Sequence, residues 1–174
     1  PNRTIMKRLF LFAMMCLFGL FSLNAQTQVD VQIGEGTTSQ SYIPSHEYYK
    51  YCVSQQIFTA EEMQNLEGTI SSVAFKLVNA SSYTRNFLVY MSNTDKEMYA
   101  STYDFGTVAE SDLFFSGNIN HANAQDGLVK IEFTTPFEYT GDNIVLTVYD
   151  QTMSWNSAVP FYTYGTGSSP RAMY

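Results

Sequence analysis

The 174 residues carry 16 acidic and 9 basic side chains, a net charge of −7, which argues against a nucleic-acid binder, because phosphate binding needs Lys and Arg to displace counterions. Aromatic residues make up 16% and charged residues 14%. That balance excludes a disordered chain, which is short of apolar side chains and rich in charge, and it fits an exported β-rich domain of the size that favours a single core.

Residues 1–5 precede the first methionine and read as upstream or added residues. From Met6 the chain has the layout of a secretory signal peptide over residues 6–25: Lys7 and Arg8, an apolar run from Leu9 to Leu20, then Ser22-Leu23-Asn24-Ala25 before Gln26. The apolar run is shorter than the roughly 18–20 residues of a membrane span. Cys16 lies inside that run behind Met14-Met15, so it reads as a passenger rather than an acylation site. Cleavage after Ala25 removes Arg3, Lys7 and Arg8 and no acid, leaving 149 residues with a net charge of −10. Cys52 is then alone, so no internal disulfide is available and the fold must rest on its core. Cys52 itself reads as a small buried hydrophobe.

Val29, Val31 and Ile33 alternate as a first short strand, and residues 34–41 read as a polar loop. Residues 48–58 read as a strand with Tyr49, Tyr51, Val53 and Ile57 on one face. A single helical turn follows at about 59–67. Thr59 and Glu62 have capping-box spacing, Phe58 and Met63 sit at the staple positions, and Gly68 is expected to end the turn. Val73, Phe75 and Leu77 mark a half-buried strand. Residues 86–91 and 144–149 are apolar on both faces and belong in the middle of a sheet. Residues 113–116 and 129–133 read as further strands, the second ended by Pro136. Residues 161–164 open a last one, and residues 171–174 head towards a strand expected beyond Tyr174. Seven or eight short strands with one helical turn give an all-β antiparallel sandwich, with residues 26–174 as one domain continuing past the C-terminus.

Several segments occur in a characteristic order: Ile33-Gly34-Glu35-Gly36-Thr37, Tyr42-Ile43-Pro44, the 48–58 strand with Gln55-Gln56-Ile57, Thr59-Ala60-Glu61-Glu62, and Gly68-Thr69-Ile70. Arg85-Asn86, Phe115-Ser116-Gly117 and Thr135-Pro136-Phe137-Glu138-Tyr139 follow. Together they resemble a jelly-roll module near the N-terminus of large secreted Bacteroidota proteins, similar to the cleaved-adhesin domains of gingipain-type proteases. The resemblance spans about residues 29–174. It implies a jelly-roll-like sandwich in a secreted or cell-surface binding module for a glycan or an extracellular protein, with further domains on the same polypeptide. It also implies structural calcium in some members, without assigning ligands here.

The residues themselves give little sign of catalysis. His46 and His121 read as ordinary loop residues, with no second histidine at metal-ligand spacing and no Gly-x-Ser-x-Gly elbow. Glu61 and Glu62 are explained by the start of the helical turn. Asp30, Glu35, Asp142 and Asp150 are the acids available to a calcium site, which needs six to eight oxygens from several loops. Asn79-Ala80-Ser81 matches a glycosylation acceptor that would be idle in a bacterial protein. The candidate ligand-binding residues are the aromatics Trp155, Tyr48 and Tyr83. For Trp155 the reading favoured by sequence is that it plugs one end of the sandwich. The alternatives to a binding module are an accessory domain of an exported protease or glycoside hydrolase and a structural surface-assembly subunit.

Overall fold

The computed structural model describes residues 27–174; the signal-peptide and cleavage assignments at residues 6–26 lie outside them. Residues 31–174 cluster as one unit. Its strands are β1 (Thr38–Gln40), β2 (Cys52–Phe58), β3 (Gly68–Lys76), β4 (Thr84–Thr94), β5 (Leu113–Asn120), β6 (Leu128–Tyr139), β7 (Asn143–Asp150), β8 (Phe161–Thr163) and β9 (Ala172–Met173). A five-stranded sheet runs β5-β4-β7-β2-β9, a second pairs β3 with β6, and a small third pairs β1 with β8. Every pairing is antiparallel. The fold is all-β and sandwich-like, as the strand count predicts.

Alternation builds the core. Phe87, Val89 and Met91 of β4 and Ile144, Leu146 and Val148 of β7 share a buried cluster with Val129, Ile131, Phe137 and Tyr139 of β6. Val73 and Phe75 of β3 pack against it, as does Phe58. The two segments read as doubly apolar, 86–91 and 144–149, are indeed the interior strands β4 and β7. Their outer face needs partial cover because both sides carry apolar groups. Part of that cover comes from the segment after β4. Tyr99 is buried in a small cluster with Ile57 and Met173, and Gln55 clasps the backbone of Gly106 with two 2.8 Å hydrogen bonds, one to its O and one from its N.

Several boundaries differ from the sequence reading. Val31 and Ile33 form no strand; the first strand lies at Thr38–Gln40, inside the segment read as a loop. The 48–58 strand begins only at Cys52, and Tyr49 and Tyr51 are more than half exposed rather than lining a buried face. Pro136 does not end its strand. Ile70 pairs with Phe137 and Ser72 with Glu132, so β6 bulges outward through Pro136, where no ladder donor is needed. Ala172–Met173 form a short strand, β9, which pairs with β2 at Gln55 and Gln56.

The helical turn forms with its foreseen cap: Thr59 N donates to Glu62 Oε2 at 2.9 Å, and Glu62 N donates to Thr59 Oγ1 at 3.3 Å. Gly68 does not end it. Gln64 and Asn65 turn the chain with φ of 59° and 51°, and Gly68 instead starts β3. Glu62 also receives a bidentate clamp from Arg171 at 2.7 and 2.8 Å, which ties the turn to β9 beside it.

Ile131 is completely buried at the centre of the core. Replacing it with Ala is expected to cost about 2–5 kcal/mol, read as a lowered denaturant midpoint; an unchanged midpoint would remove Ile131 from the core.

Candidate functional site

The inward-facing rows of β4 and β7 each end on a charge. Arg85 precedes Phe87, Val89 and Met91 at the same two-residue spacing, and Asp150 follows Ile144, Leu146 and Val148. Both side chains are fully buried and face each other, with Arg85 Nη2 at 2.6 Å and Nε at 2.7 Å from Asp150 Oδ2. The remaining Arg85 donors reach out of the sheet: Nη1 donates to Ser154 O at 3.0 Å and Nη2 to Tyr49 O at 2.9 Å. Asp150 accepts from the Ser45 hydroxyl at 2.5 Å and from Thr152 N at 3.0 Å. One ion pair thereby holds both loops at this end of the sandwich, 41–51 and 151–160.

Glu47 and His121 fill the same interior. Both side chains are sealed from solvent, and His121 Nε2 lies 3.2 Å from Glu47 Oε1. Burial pushes the Glu47 carboxyl up to about 8, with Arg85 opposing and Asp150 adding to the rise. Burial holds His121 down at about 4, Arg85 acting in the same sense and Asp150 against it. Neither Glu47 oxygen nor His121 Nε2 makes a hydrogen bond. Burial favours the uncharged form of both groups, and His121 Nδ1 faces the Ser81 hydroxyl at 3.3 Å. His121 is thus a buried, partnered residue and not an ordinary loop residue; Asn120 caps its short turn by accepting from Ala122 N at 2.9 Å. Cys52 closes the group, its sulfur 3.3 Å from the Ser45 hydroxyl and 3.2 Å from His46 N. Cys52 is half-buried rather than fully buried, and burial raises its thiol pKa, which lowers its thiolate fraction.

Above this interior the two loops are laced together by backbone bonds of 3.0 Å, from Asn156 N to Glu47 O and from Met153 N to Lys50 O. The lacing lifts aromatic rings to the surface. Trp155 is 65% exposed and Tyr48 and Tyr49 are each 53% exposed. With Lys50 they line an open depression of about 290 Å³. The Tyr48 and Trp155 ring centres are 6.4 Å apart and tilted by 52°; Tyr48 and Tyr49 are 5.4 Å apart and nearly perpendicular. His46 continues the row edge-on to Tyr49 and Tyr42, and Tyr42 stacks on Tyr174 at 4.6 Å.

Of the sequence candidates, Tyr48 and Trp155 meet here and Tyr83 does not: its ring packs against the core and its backbone O accepts from His121 N at 2.9 Å. Trp155 plugs nothing, because the end of the sandwich is already filled by Arg85, Asp150, Glu47 and His121. Tyr49 and Lys50 were not singled out by sequence. The acids offered for calcium, Asp30, Glu35, Asp142 and Asp150, are not gathered into one cluster of side chains. Asp150 is committed to Arg85, Asp142 accepts from Thr140 Oγ1 at 2.9 Å, and no three His, Cys, Asp or Glu side chains gather at metal-binding spacing among the described residues. None of the described helical segments is long and apolar enough to cross a membrane. Comparison with protein-family models, with curated proteins and with solved structures finds no match for this chain.

Truncating Arg85 to Met would strand Asp150 as an unpaired buried charge. A loss of about 3–5 kcal/mol is expected, with most of it recovered in the Arg85→Met, Asp150→Leu double variant; equal denaturant midpoints for the single and double variants would deny the pair its role. The Glu47–His121 pair also sets a pH window. Glu47 is raised from 4.5 to about 8, so its contribution to stability is lost as pH rises through that span. His121 is lowered from 6.5 to about 4, so its contribution is lost as pH falls through that span. The two slopes oppose between 4.5 and 6.5, and only the Glu47 slope acts from there up to about 8. The melting midpoint is expected to fall across this upper span in the wild type and to stay level there in Glu47→Gln. A matching fall in both proteins would contradict the protonated carboxyl.

Proposed function

We propose that this chain is an exported binding module, without chemistry of its own, that captures a saccharide on the aromatic depression at one end of its sandwich. The observation that carries the reading is the exposure of Trp155, 65%, beside Tyr48 and Tyr49 on loops fixed from beneath. Large aromatic side chains left in water by a rigid frame are a cost to a lone domain and mark an interaction surface. The apolar C–H face of a pyranose is the natural partner of such a ring, with hydroxyls left to the wet rim.

The ring tilt of 52° speaks for a single twisting saccharide chain rather than a flat crystalline surface, which would call for coplanar rings. Absence of catalysis is supported by the sealing of the four titratable groups beneath the depression. Glu47, Arg85, Asp150 and His121 are at most 2% exposed, so none can reach a substrate, and the Cys52 thiol is bonded. Preformed loops favour binding, since little ordering entropy is lost when the ligand arrives. A surface location within a larger adhesin-like protein is the setting that the order of motifs implies.

The test is affinity electrophoresis of the chain through gels containing a panel of neutral and acidic polysaccharides. Retardation by at least one is expected. Trp155→Ala should weaken it about tenfold or more, as buried-on-binding Trp anchors do, without moving the melting midpoint; Tyr103→Ala, on a remote residue 93% exposed, should leave it intact. Passage through every gel unretarded, or retention of proline-rich peptides instead, would overturn the saccharide reading.

A further inference from the structure

Residues 27–174 contain six basic side chains against sixteen acidic ones. Five of the six are occupied. Arg85 pairs with Asp150, Arg171 with Glu62, Lys96 with Asp104 and Lys130 with Glu132, and Lys76 lies 5.9 Å over the Tyr162 ring. Lys50 is the exception: among the described residues its ammonium has no anionic or aromatic partner. It is also the basic residue that lines the aromatic depression, between Tyr49 and Tyr51 and beside Trp155. Its backbone is fixed, because Lys50 O accepts from Met153 N at 3.0 Å, while its side chain is exposed.

The acids nearest in the chain or below the depression do not answer that charge. Glu47 is buried, with its carboxyl held protonated up to about pH 8, and Asp150 is neutralised by Arg85. The depression therefore presents a lone positive group among apolar rings, on a chain that is otherwise strongly acidic. We propose that the saccharide it selects is anionic: a pyranose stacked on Trp155 and Tyr48 that carries a carboxylate or sulfate paired with Lys50. This rests on the saccharide reading above and narrows it.

The choice of Lys over Arg sets the kind of discrimination. An ammonium is a compact point charge without the planar fork that matches a carboxylate in two places. The site therefore reads the presence of a negative charge next to the stacked ring and does not separate uronate from sulfate ester. Stacking supplies the adhesion and Lys50 the selection. The acidic remainder of the protein opposes a polyanion only within the screening distance of about 8–10 Å at ordinary salt, so a polyanion that comes that close without a stacking face gains nothing.

The experiment uses matched pairs of polymers, polygalacturonate against its fully methyl-esterified form and dextran sulfate against dextran, in affinity gels with the full chain. Stronger retardation by the charged member of both pairs is expected; a charge preference in one pair alone would overturn the shared reading of uronate and sulfate. Lys50→Gln should weaken binding to the charged member about two- to fivefold, the scale of an exposed ion pair, and leave the neutral member unchanged. At about 1 M salt, where screening reaches about 3 Å, wild type and Lys50→Gln should converge while the Trp155→Ala loss persists. Equal binding to charged and neutral members, or an unchanged Lys50→Gln, overturns the anionic selection and leaves the saccharide reading standing. Binding of the charged polymers that survives Trp155→Ala overturns both, since it is then adsorption by charge alone.

Discussion

The buried ion pair between Arg85 and Asp150 is the constraint on which this end of the molecule depends. It is not a large source of stability by itself, because removing two charges from water costs about what their attraction returns. Its importance lies in where the spare donors go. Arg85 spends one on Asp150 alone and the others on the carbonyls of Tyr49 and Ser154, which belong to different loops. Asp150 in turn holds Ser45 and Thr152. A hydrophobic pair of the same volume would keep most of the stability, but the carbonyls of Tyr49 and Ser154, the Ser45 hydroxyl and Thr152 would turn to water instead, and the loops would lose their set conformation. The pair specifies loop conformation, and the loops carry the rings.

The same geometry explains why aromatic side chains lie outside. An end filled by a sealed polar network has no room for Trp155 or Tyr48, and their loops are drawn together by backbone bonds that point the side chains away. Glu47 shows the linkage in one residue. Its side chain is packed within against His121, while its carbonyl accepts from Asn156 N, the residue after Trp155. Interior and rim are therefore two sides of one short segment, and neutrality within is what allows a rim with so little charge around it.

Much of the fold was legible in the sequence because period-two alternation is a local signal. β3 and β6 are located by it, β4 and β7 by runs apolar on both faces, and the Thr59–Glu62 cap is readable from spacing alone. The failures have physical causes. β1 is three residues of Thr, Ser and Gln, held by pairing with β8 more than a hundred residues away, so nothing local marks it. Pro136 ends an ordinary strand but not one that bulges at that point. The site was half legible. Tyr48 and Trp155 were recognisable as aromatics among polar neighbours, yet their meeting depends on a long-range contact. Arg85 and Asp150 were within reach: extending the alternation of each strand by one step puts a charge on the core face, and a charge there demands a partner. Glu47 and His121 carried no such mark, since neither lies in a periodic run.

The acidity of the chain also acquires a meaning beyond solubility. A cluster of exposed rings on a protein of low charge would invite pairing between copies, ring to ring. With ten net negative charges over residues 27–174, like copies repel at distances where the rings cannot yet touch. On the proposed reading the rings then serve a ligand rather than a second copy, and that ligand must bring enough apolar face to gain from stacking. Within that field a single unpaired ammonium acts only over the width of the depression. On the proposed reading, repulsion around the depression and attraction within it act together on a ligand that carries both a flat apolar face and a charge at its edge.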